Sequence, residues 1–374
     1  MLERGVYSIE KNELRAIKTI SRTALEKNLN AISRVLNSET KIMAVIKADA
    51  YGCDANVVAD ILENNRVDFF AVATVDEGIS LRKAGIQAKI LVLGYTSPER
   101  AEDLRQFSII QTIVGEDHAV RMNSRGIKIS CHLKIDTGMH RLGVEPTIDK
   151  IEPIFKMAHL NVEGVYSHLG SSDSLDQKSV ERSKKQIETY DKILADLDRK
   201  GIDYGVTHIQ SSYGVLNYPW LKYDYARIGI LMYGMKSAVD DITKVSVDVQ
   251  QIISVEAKLV QKRHVKAEET IGYGLNTKFS EPRVIGVVSI GYADGISRSL
   301  SDSGFCLSYK GIIVKQIGKI CMDMMLVDLN EIENISVDEL LNVYPSIENC
   351  AKLNNTISNE LLSSIGKRVS TSVR

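Results

Sequence analysis

The chain of 374 residues lacks several features that would assign it quickly. Its apolar runs, such as VIGVVSIGYA from Val284, fall far short of the roughly 20 residues that cross a bilayer. No signal-peptide pattern opens it. A surplus of one charge sign is also missing. Forty-seven lysines and arginines meet 48 acidic residues, for a net charge of -1, so nothing electrostatic points to nucleic acid. Cysteines are few and scattered: Cys53, Cys131, Cys306, Cys321 and Cys350. Their odd number and the absence of a Cys-x-x-Cys pair argue against a disulfide framework and predict reduced thiols in a cytoplasmic setting. No Gly-x-Gly-x-x-Gly follows a strand, and no P-loop, solenoid repeat or low-complexity tract occurs. Cys131, His132 and His140 are near one another, but Cys131 and His132 fall on opposite faces of a strand and match no metal-ligand spacing, so no metal is expected.

What is present is alternation. The length suits a large barrel plus a second domain. Eight strand-like runs lie near Ile42–Ile46, Phe69–Ala73, Ile90–Leu93, Ile109–Val114, Ile129–Ile135, Val162–Tyr166, Val206–Ile209 and Tyr225–Ile230. Between them come helix-period segments. The clearest, from Glu181, carries Ile187, Tyr190, Ile193, Leu194 and Leu197 on one face. Eight such units favour an α/β fold of the (β/α)8 barrel type over an open doubly wound sheet. After about Val245 period-two alternation takes over, as in KVSVDVQQIISVEAKLV and FCLSYKGIIVKQIG, and predicts a mainly-β C-terminal domain. The expected division is residues 14–245 for the barrel and 246–374 for the β-domain, with 1–13 packing on the latter.

Barrel enzymes carry reactive groups where strands end. The first barrel strand runs into AVIKADAYG, with Lys47, Asp49 and Tyr51. Lys47 is open to two readings: a solvated lysine at a strand end, or a Schiff-base lysine whose amine is partly desolvated. Strand five leads into DTGMHRLG, with Asp136 and Arg141. Strand six ends in YSHLGSSD with His168, and strand seven in IQSSYG with Ser211 and Ser212. Strand eight lies in ARIGILMYG with Arg227 and Gly229. Serines and small residues after strands seven and eight suit a phosphate site. The β-domain adds IGYGLNTKF with Tyr273, SIGYADGISRSL with Tyr292, and GKICMDMMLVDL with Met322 and Asp323. Each of these alone reads equally well as a turn or strand edge.

Together, and in this order, AVIKADAYG, DTGMHRLG, GYGL, IGYADG and ICMDM resemble the alanine racemase family, over about Arg15 to Arg368. The resemblance implies a pyridoxal 5'-phosphate enzyme that acts as a homodimer with shared sites. It implies that Lys47 carries the cofactor and serves as one base. Tyr51, Ser212, Gly229 and Ile230 would hold the phosphate. Arg227 would face the pyridine nitrogen, Arg141 would approach the phenolic oxygen, and Lys134 matches a lysine that some members carbamylate. Tyr273 would be the second base, delivered by the partner subunit, with His168 between it and Arg227. Met322 and Asp323, also from the partner, would lie near the substrate, with Arg141 and Tyr292 lining the same pocket. The chemistry is coherent, because racemisation removes the α-proton from one face and returns one to the other and so needs two acid–base groups. A free tyrosine, with a pKa of about 10, needs nearby positive charge to act as a base.

The chain departs from the family pattern in several places. Cys53-Asp54-Ala55 replaces Gly-His-Gly after Gly52 and makes Asp54 a candidate helix cap. Ser211-Ser212-Tyr213 replaces Asn-Ser-Ala, keeping the phosphate hydroxyl. Lys319 replaces an arginine, and VDELLNVY replaces a Gly-Asp-Glu segment. In TISNELL, Asn359 stands where the family commonly has a tyrosine at the substrate entrance. A smaller side chain with a donor and an acceptor predicts a pocket that admits serine as well as alanine. This combination is similar to the catalytic part of serine/alanine racemases associated with vancomycin resistance, in which a membrane domain precedes the racemase. It implies a supply of D-amino acids for cell-wall peptide precursors, and either a cytoplasmic protein or the cytoplasmic part of a membrane-anchored one. The competing readings are an ordinary alanine racemase and a non-catalytic pyridoxal-phosphate-binding protein.

Overall fold

A parallel sheet covered on both faces needs strands that are apolar throughout, and the barrel strands are built that way. The computed structural model describes residues 13–274 and 277–374. After a first strand, β1 (Ala16–Ile20), come β2 (Lys41–Val45), β3 (Phe69–Val72), β4 (Lys89–Val92), β5 (Ile110–Ile113), β6 (Ile129–Lys134), β7 (Leu160–Tyr166), β8 (Val206–His208) and β9 (Tyr225–Ile228). Strands β2 to β9 pair in chain order, all parallel, and β9 closes on β2 with Ile42 opposite Ala226. All eight runs expected from the sequence are therefore strands of one closed barrel.

Helices fill the crossovers as a parallel sheet demands. The longest, Gln177–Arg199, starts at Asp176, whose carboxylate accepts from Ser179 N–H. Its face of Ile187, Tyr190, Ile193 and Leu197 is buried, each side chain contributing roughly 1.5–3 kcal/mol. Tyr190 also donates its hydroxyl to Val165 O at 2.6 Å on β7. Cutting Leu197 to alanine would cost about 2–5 kcal/mol.

The second unit is a sheet of β10 (Ile253–Val265), β11 (Arg283–Val288), β12 (Cys306–Tyr309), β13 (Ile312–Ile317), β14 (Met325–Asp328), β15 (Leu340–Asn342) and β16 (Ser370–Val373), with β1. Its order is β11-β14-β13-β12-β15-β10-β1-β16, and β10 also pairs with β11. The first seven residues of β10 alternate between buried and half-buried, the pattern of a sheet with one face on a core.

The units divide the chain differently from a single cut at residue 245. The barrel unit is Thr23–Met235 with Asp240–Gln250, and the β-unit takes the segment ending at Arg22, Lys236–Val239 and Gln251–Arg374. Strand β1 joins the β-unit because all five of its residues are buried, antiparallel to β10 and parallel to β16. The alternation from Lys244 does not form a strand until Ile253. Before that, backbone donors are taken by the barrel unit: Lys244 N–H by Asn217 Oδ1, Val245 N–H by Leu216 O and Gln250 N–H by Asn28 Oδ1. The packing expected for residues 1–12 and the leucine of GYGL, Leu275, lie outside the described residues.

Candidate active site

Lys47 follows β2 after the buried Ile46. The four residues after it, Ala48, Asp49, Ala50 and Tyr51, all take left-handed backbone conformations, with φ of 53, 54, 52 and 54°. Such a conformation costs a non-glycine residue about 1–2 kcal/mol, and strain of this kind collects at functional sites. Hydrogen bonds hold the turn. Glu77 accepts from Ala48 N–H at 2.7 Å with Oε1 and from Ala73 N–H at 2.7 Å with Oε2, and Asp49 accepts from Ala55 N–H at 3.0 Å. Burial pushes the Lys47 ammonium's pKa down, Arg141 and Arg227 add to the effect, and Glu77 opposes it. The lysine is thus biased toward its nucleophilic neutral form.

Tyr51 packs on Tyr233 with ring centroids 4.7 Å apart. Its phenol is pushed up to about 12 by burial, so it remains a hydrogen-bond donor. A Cβ at Gly229 would sit 2.6 Å from the Tyr51 hydroxyl, so only glycine leaves this cradle open. Ser212 Oγ accepts from Gly229 N–H at 3.0 Å and Leu231 N–H at 3.4 Å. Its own proton is left to donate. The next amide, Ile230, opens the short helix Ile230–Tyr233 and has no intrahelical acceptor.

Arg227, on β9, is buried, and among the described residues no carboxylate pairs with it. One terminal nitrogen donates to His208 Nδ1 at 2.6 Å and His208 O at 3.2 Å. The other donates to Ser167 O at 2.8 Å, Ile209 O at 3.0 Å and His168 Nδ1 at 3.0 Å. None of these bonds uses Nε–H. Burial brings Arg227 down to about 10, still cationic at neutral pH. Because arginine can only donate, His168 and His208 accept at Nδ1 and carry their protons at Nε2. His208 then donates to His132 Nδ1 at 2.9 Å. Burial keeps all three imidazoles neutral, with His132 down to about 3 and the other two well below the usual histidine value. The barrel interior is polar here, with Tyr166 stacked on His208 at 4.5 Å and bonded to Thr112 at 3.0 Å.

Lys134 ends β6 and is buried. Burial, then Arg141 and Arg227, bring it down to about 8. Lys47, Lys134, Arg141 and Arg227 thus form a field of positive charge at the C-terminal ends of the barrel strands, where one would expect catalysis. Lys134 and Arg227 are buried, Lys47 is half-buried and Arg141 is exposed, and this concentration of positive charge favours an anionic occupant. The donors present fit pyridoxal phosphate: an amine for its aldehyde, Tyr51, Ser212 and open amides for a phosphate, and guanidinium groups for its oxygen and ring nitrogen.

The β-unit carries the remaining residues. Tyr273 is 67% exposed between Gly272 and Gly274, whose φ of 66 and 85° give the turn a left-handed course. Tyr273, Cys321, Met322 and Asp323 line one broad cavity of about 1290 Å³. Tyr292 N–H donates to Cys321 O at 3.0 Å and Ala293 N–H to Met322 O at 2.9 Å, tying IGYADG to ICMDM. Asp323 accepts from Arg368 at 2.6 Å, and Arg368 with Arg15 also contacts the fully buried Asp294. Asn359, half-buried, is the second residue of the helix Ser358–Ser363, and its Oδ1 accepts from Ser237 Oγ at 2.9 Å.

The barrel unit therefore gathers Lys47, Tyr51, Lys134, Arg141, His168, Ser212, Arg227, Gly229 and Ile230. The β-unit gathers Tyr273, Tyr292, Met322, Asp323 and Asn359. The sequence motifs do not include Glu77, His208 or Ser237. A polar His208 inside the apolar run VTHI was the signal available for one of them.

Comparison with known proteins identifies the family of the chain. The family model described as "Alanine racemase, N-terminal domain" matches residues 20–237, and that described as "Alanine racemase, C-terminal domain" matches residues 252–373. A serine/alanine racemase of Enterococcus gallinarum is 51% identical over 360 residues, covering 96% of this chain and 52% of the relative. An amino-acid racemase of Enterococcus faecalis is also 51% identical, over 96% of this chain and 51% of its own length. The chain thus spans about half the length of these relatives. A solved alanine racemase from Clostridium difficile 630 superposes with a TM-score of 0.91 at 31% identity, covering 96% of each chain.

Proposed function

The chain belongs to the alanine racemase family, and from that premise we propose that it interconverts the L and D forms of both serine and alanine with pyridoxal phosphate and two bases. The observation that carries the racemase reading is the field of Lys47, Lys134, Arg141 and Arg227 at one end of the barrel, with Arg227 fixed through five hydrogen bonds that leave Nε free. Bound pyridoxal phosphate supplies the electron sink that makes an α-proton removable. Arg227, a donor that cannot give up its own proton, keeps that sink weak and so disfavours side reactions. Lys47 moves the proton on one face of the substrate. Tyr273, coming from a partner subunit in a homodimer, moves it on the other. His168, neutral with a proton at Nε2, is suited to donate to the tyrosine oxygen. Met322, Asp323, Tyr292 and Arg141 orient the amino acid. Tyr51, Ser212, Gly229 and Ile230 bind the phosphate. Lys134, with its pKa near 8, can take up carbon dioxide with loss of a proton, and the carbamate would answer the charge of Arg141.

The serine reading rests on Asn359. Tyrosine at this position would crowd a side chain longer than a methyl, whereas asparagine leaves room and a hydrogen bond. One net hydrogen bond of about 0.5–1.5 kcal/mol shifts preference by roughly 2- to 13-fold, so alanine remains a substrate. The test is α-hydrogen exchange in deuterated water with L-serine and L-alanine. Both should exchange and racemise, and Asn359→Tyr should lower the serine/alanine ratio of kcat/KM by at least the hydrogen-bond factor. An unchanged ratio refutes the role of Asn359, and exchange with alanine alone leaves an ordinary alanine racemase. Absence of any exchange returns the chain to a cofactor-binding protein. A racemase of this kind would feed D-alanine and D-serine to cell-wall peptide precursors, including those of vancomycin-resistant cells.

A further inference from the structure

The hydrogen bond between Ser237 and Asn359 has a consequence for which substrates the pocket can tell apart. A carboxamide offers an acceptor on one edge and two donors on the other, and an unrestrained asparagine can turn either edge to a ligand. Here Ser237 Oγ donates to Asn359 Oδ1 at 2.9 Å. The same residue's carbonyl accepts Ser358 N–H at 2.8 Å, so Ser237 holds both the start of the helix Ser358–Ser363 and the side chain beside it. Among the described residues nothing engages Asn359 Nδ2. We infer that Ser237 is a positioning residue that fixes the Asn359 amide with its N–H edge outward, so that the pocket recognises amino acids bearing a hydrogen-bond acceptor on Cβ. The inference rests on the serine reading and deepens it. The hydroxyl oxygen of serine meets an N–H and accepts. The methyl of alanine leaves that N–H to water.

The test uses the holoenzyme. Ser237→Ala frees the amide to rotate. The serine/alanine ratio of kcat/KM should fall by roughly 2- to 13-fold, mainly through KM for serine. The dissociation constant for L-serine, read from the holoenzyme's visible absorbance, should rise by a similar factor. Ser237→Thr keeps the hydroxyl and should restore both. If the alanine variant does not fold, Ser237→Cys, close in size and a weak donor, is read in its place. An equal loss on both substrates would reveal a merely structural residue and overturn the inference. So would an unchanged ratio in Ser237→Ala alongside a lowered ratio in Asn359→Tyr, an outcome that leaves the serine reading standing. If Asn359→Tyr itself leaves the ratio unchanged, the serine reading falls and takes this inference with it.

Discussion

Lys134 shows what a single buried charge costs and where that cost can be measured. Its amine ordinarily titrates at 10.5, but burial, Arg141 and Arg227 bring it to about 8 in the folded protein. As pH falls from 10.5 to about 8, the unfolded chain takes up a proton that the folded chain refuses. Stability declines across that window and stays lower beneath it. The interval from about 8 to 10.5 corresponds to roughly 3 kcal/mol. Lys134→Met should therefore stabilise the cofactor-free protein by up to about that amount at pH 7, and the gain should vanish near pH 10.5. Thermal melts at the two pH values, in buffer free of carbon dioxide, check this, and equal gains at both would refute it. Lys47, Arg141 and Arg227 were legible because each sits in a motif at a strand end. His208 and Glu77 were not. They act through other residues, and their spacing from those residues exists only once the barrel has closed.

The strand periods were easier to read than the turn that follows the first barrel strand. Eight apolar runs needed only their pattern to be recognised, since a doubly covered parallel strand admits little else. In Lys47-Ala48-Asp49-Ala50-Tyr51 only Asp49 is of a type that visits left-handed backbone, and the conformation of the whole turn is held by Glu77, by Asp49 and by the packing of Tyr51 on Tyr233. Strand β1 has no local signal in the sequence, because its partners, β10 and β16, are more than 230 residues away in the chain. The cap after the turn could be anticipated. Asp54 accepts from Val57 N–H at 3.3 Å and starts the helix Ala55–Asn64, itself at a φ of 72°. Asp54→Ala loses the cap and keeps the strained backbone, so it should destabilise the protein by about 1–2 kcal/mol. Asp54→Asn retains an accepting oxygen and tolerates positive φ, so it should lie close to wild type. Thermal melting compares the two, and equal losses would mean that the side-chain oxygen contributes nothing to the helix start.

At the scale of the whole molecule, the chemistry is split. Lys47, Arg227 and the residues proposed to bind phosphate belong to the barrel unit, whereas Tyr273, Met322, Asp323 and Asn359 belong to the β-unit. Tyr273 is 67% exposed, as a residue meant for another subunit would be. If each active site takes Lys47 from one protomer and Tyr273 from its partner, two dead variants can repair each other. Lys47→Ala and Tyr273→Phe should each be nearly inactive as homodimers. In a mixed dimer, one site receives both defects and the other receives neither. Random reassortment makes half the dimers mixed, each with one intact site, so the mixture should recover roughly a quarter of wild-type activity. Sites built within one protomer predict no recovery, because every site in every dimer would still carry a defect. Co-expression with two affinity tags, followed by isolation of the doubly tagged dimer, raises the expected recovery to about half. That value distinguishes a shared site from a trace of wild-type enzyme, which would not follow the tags.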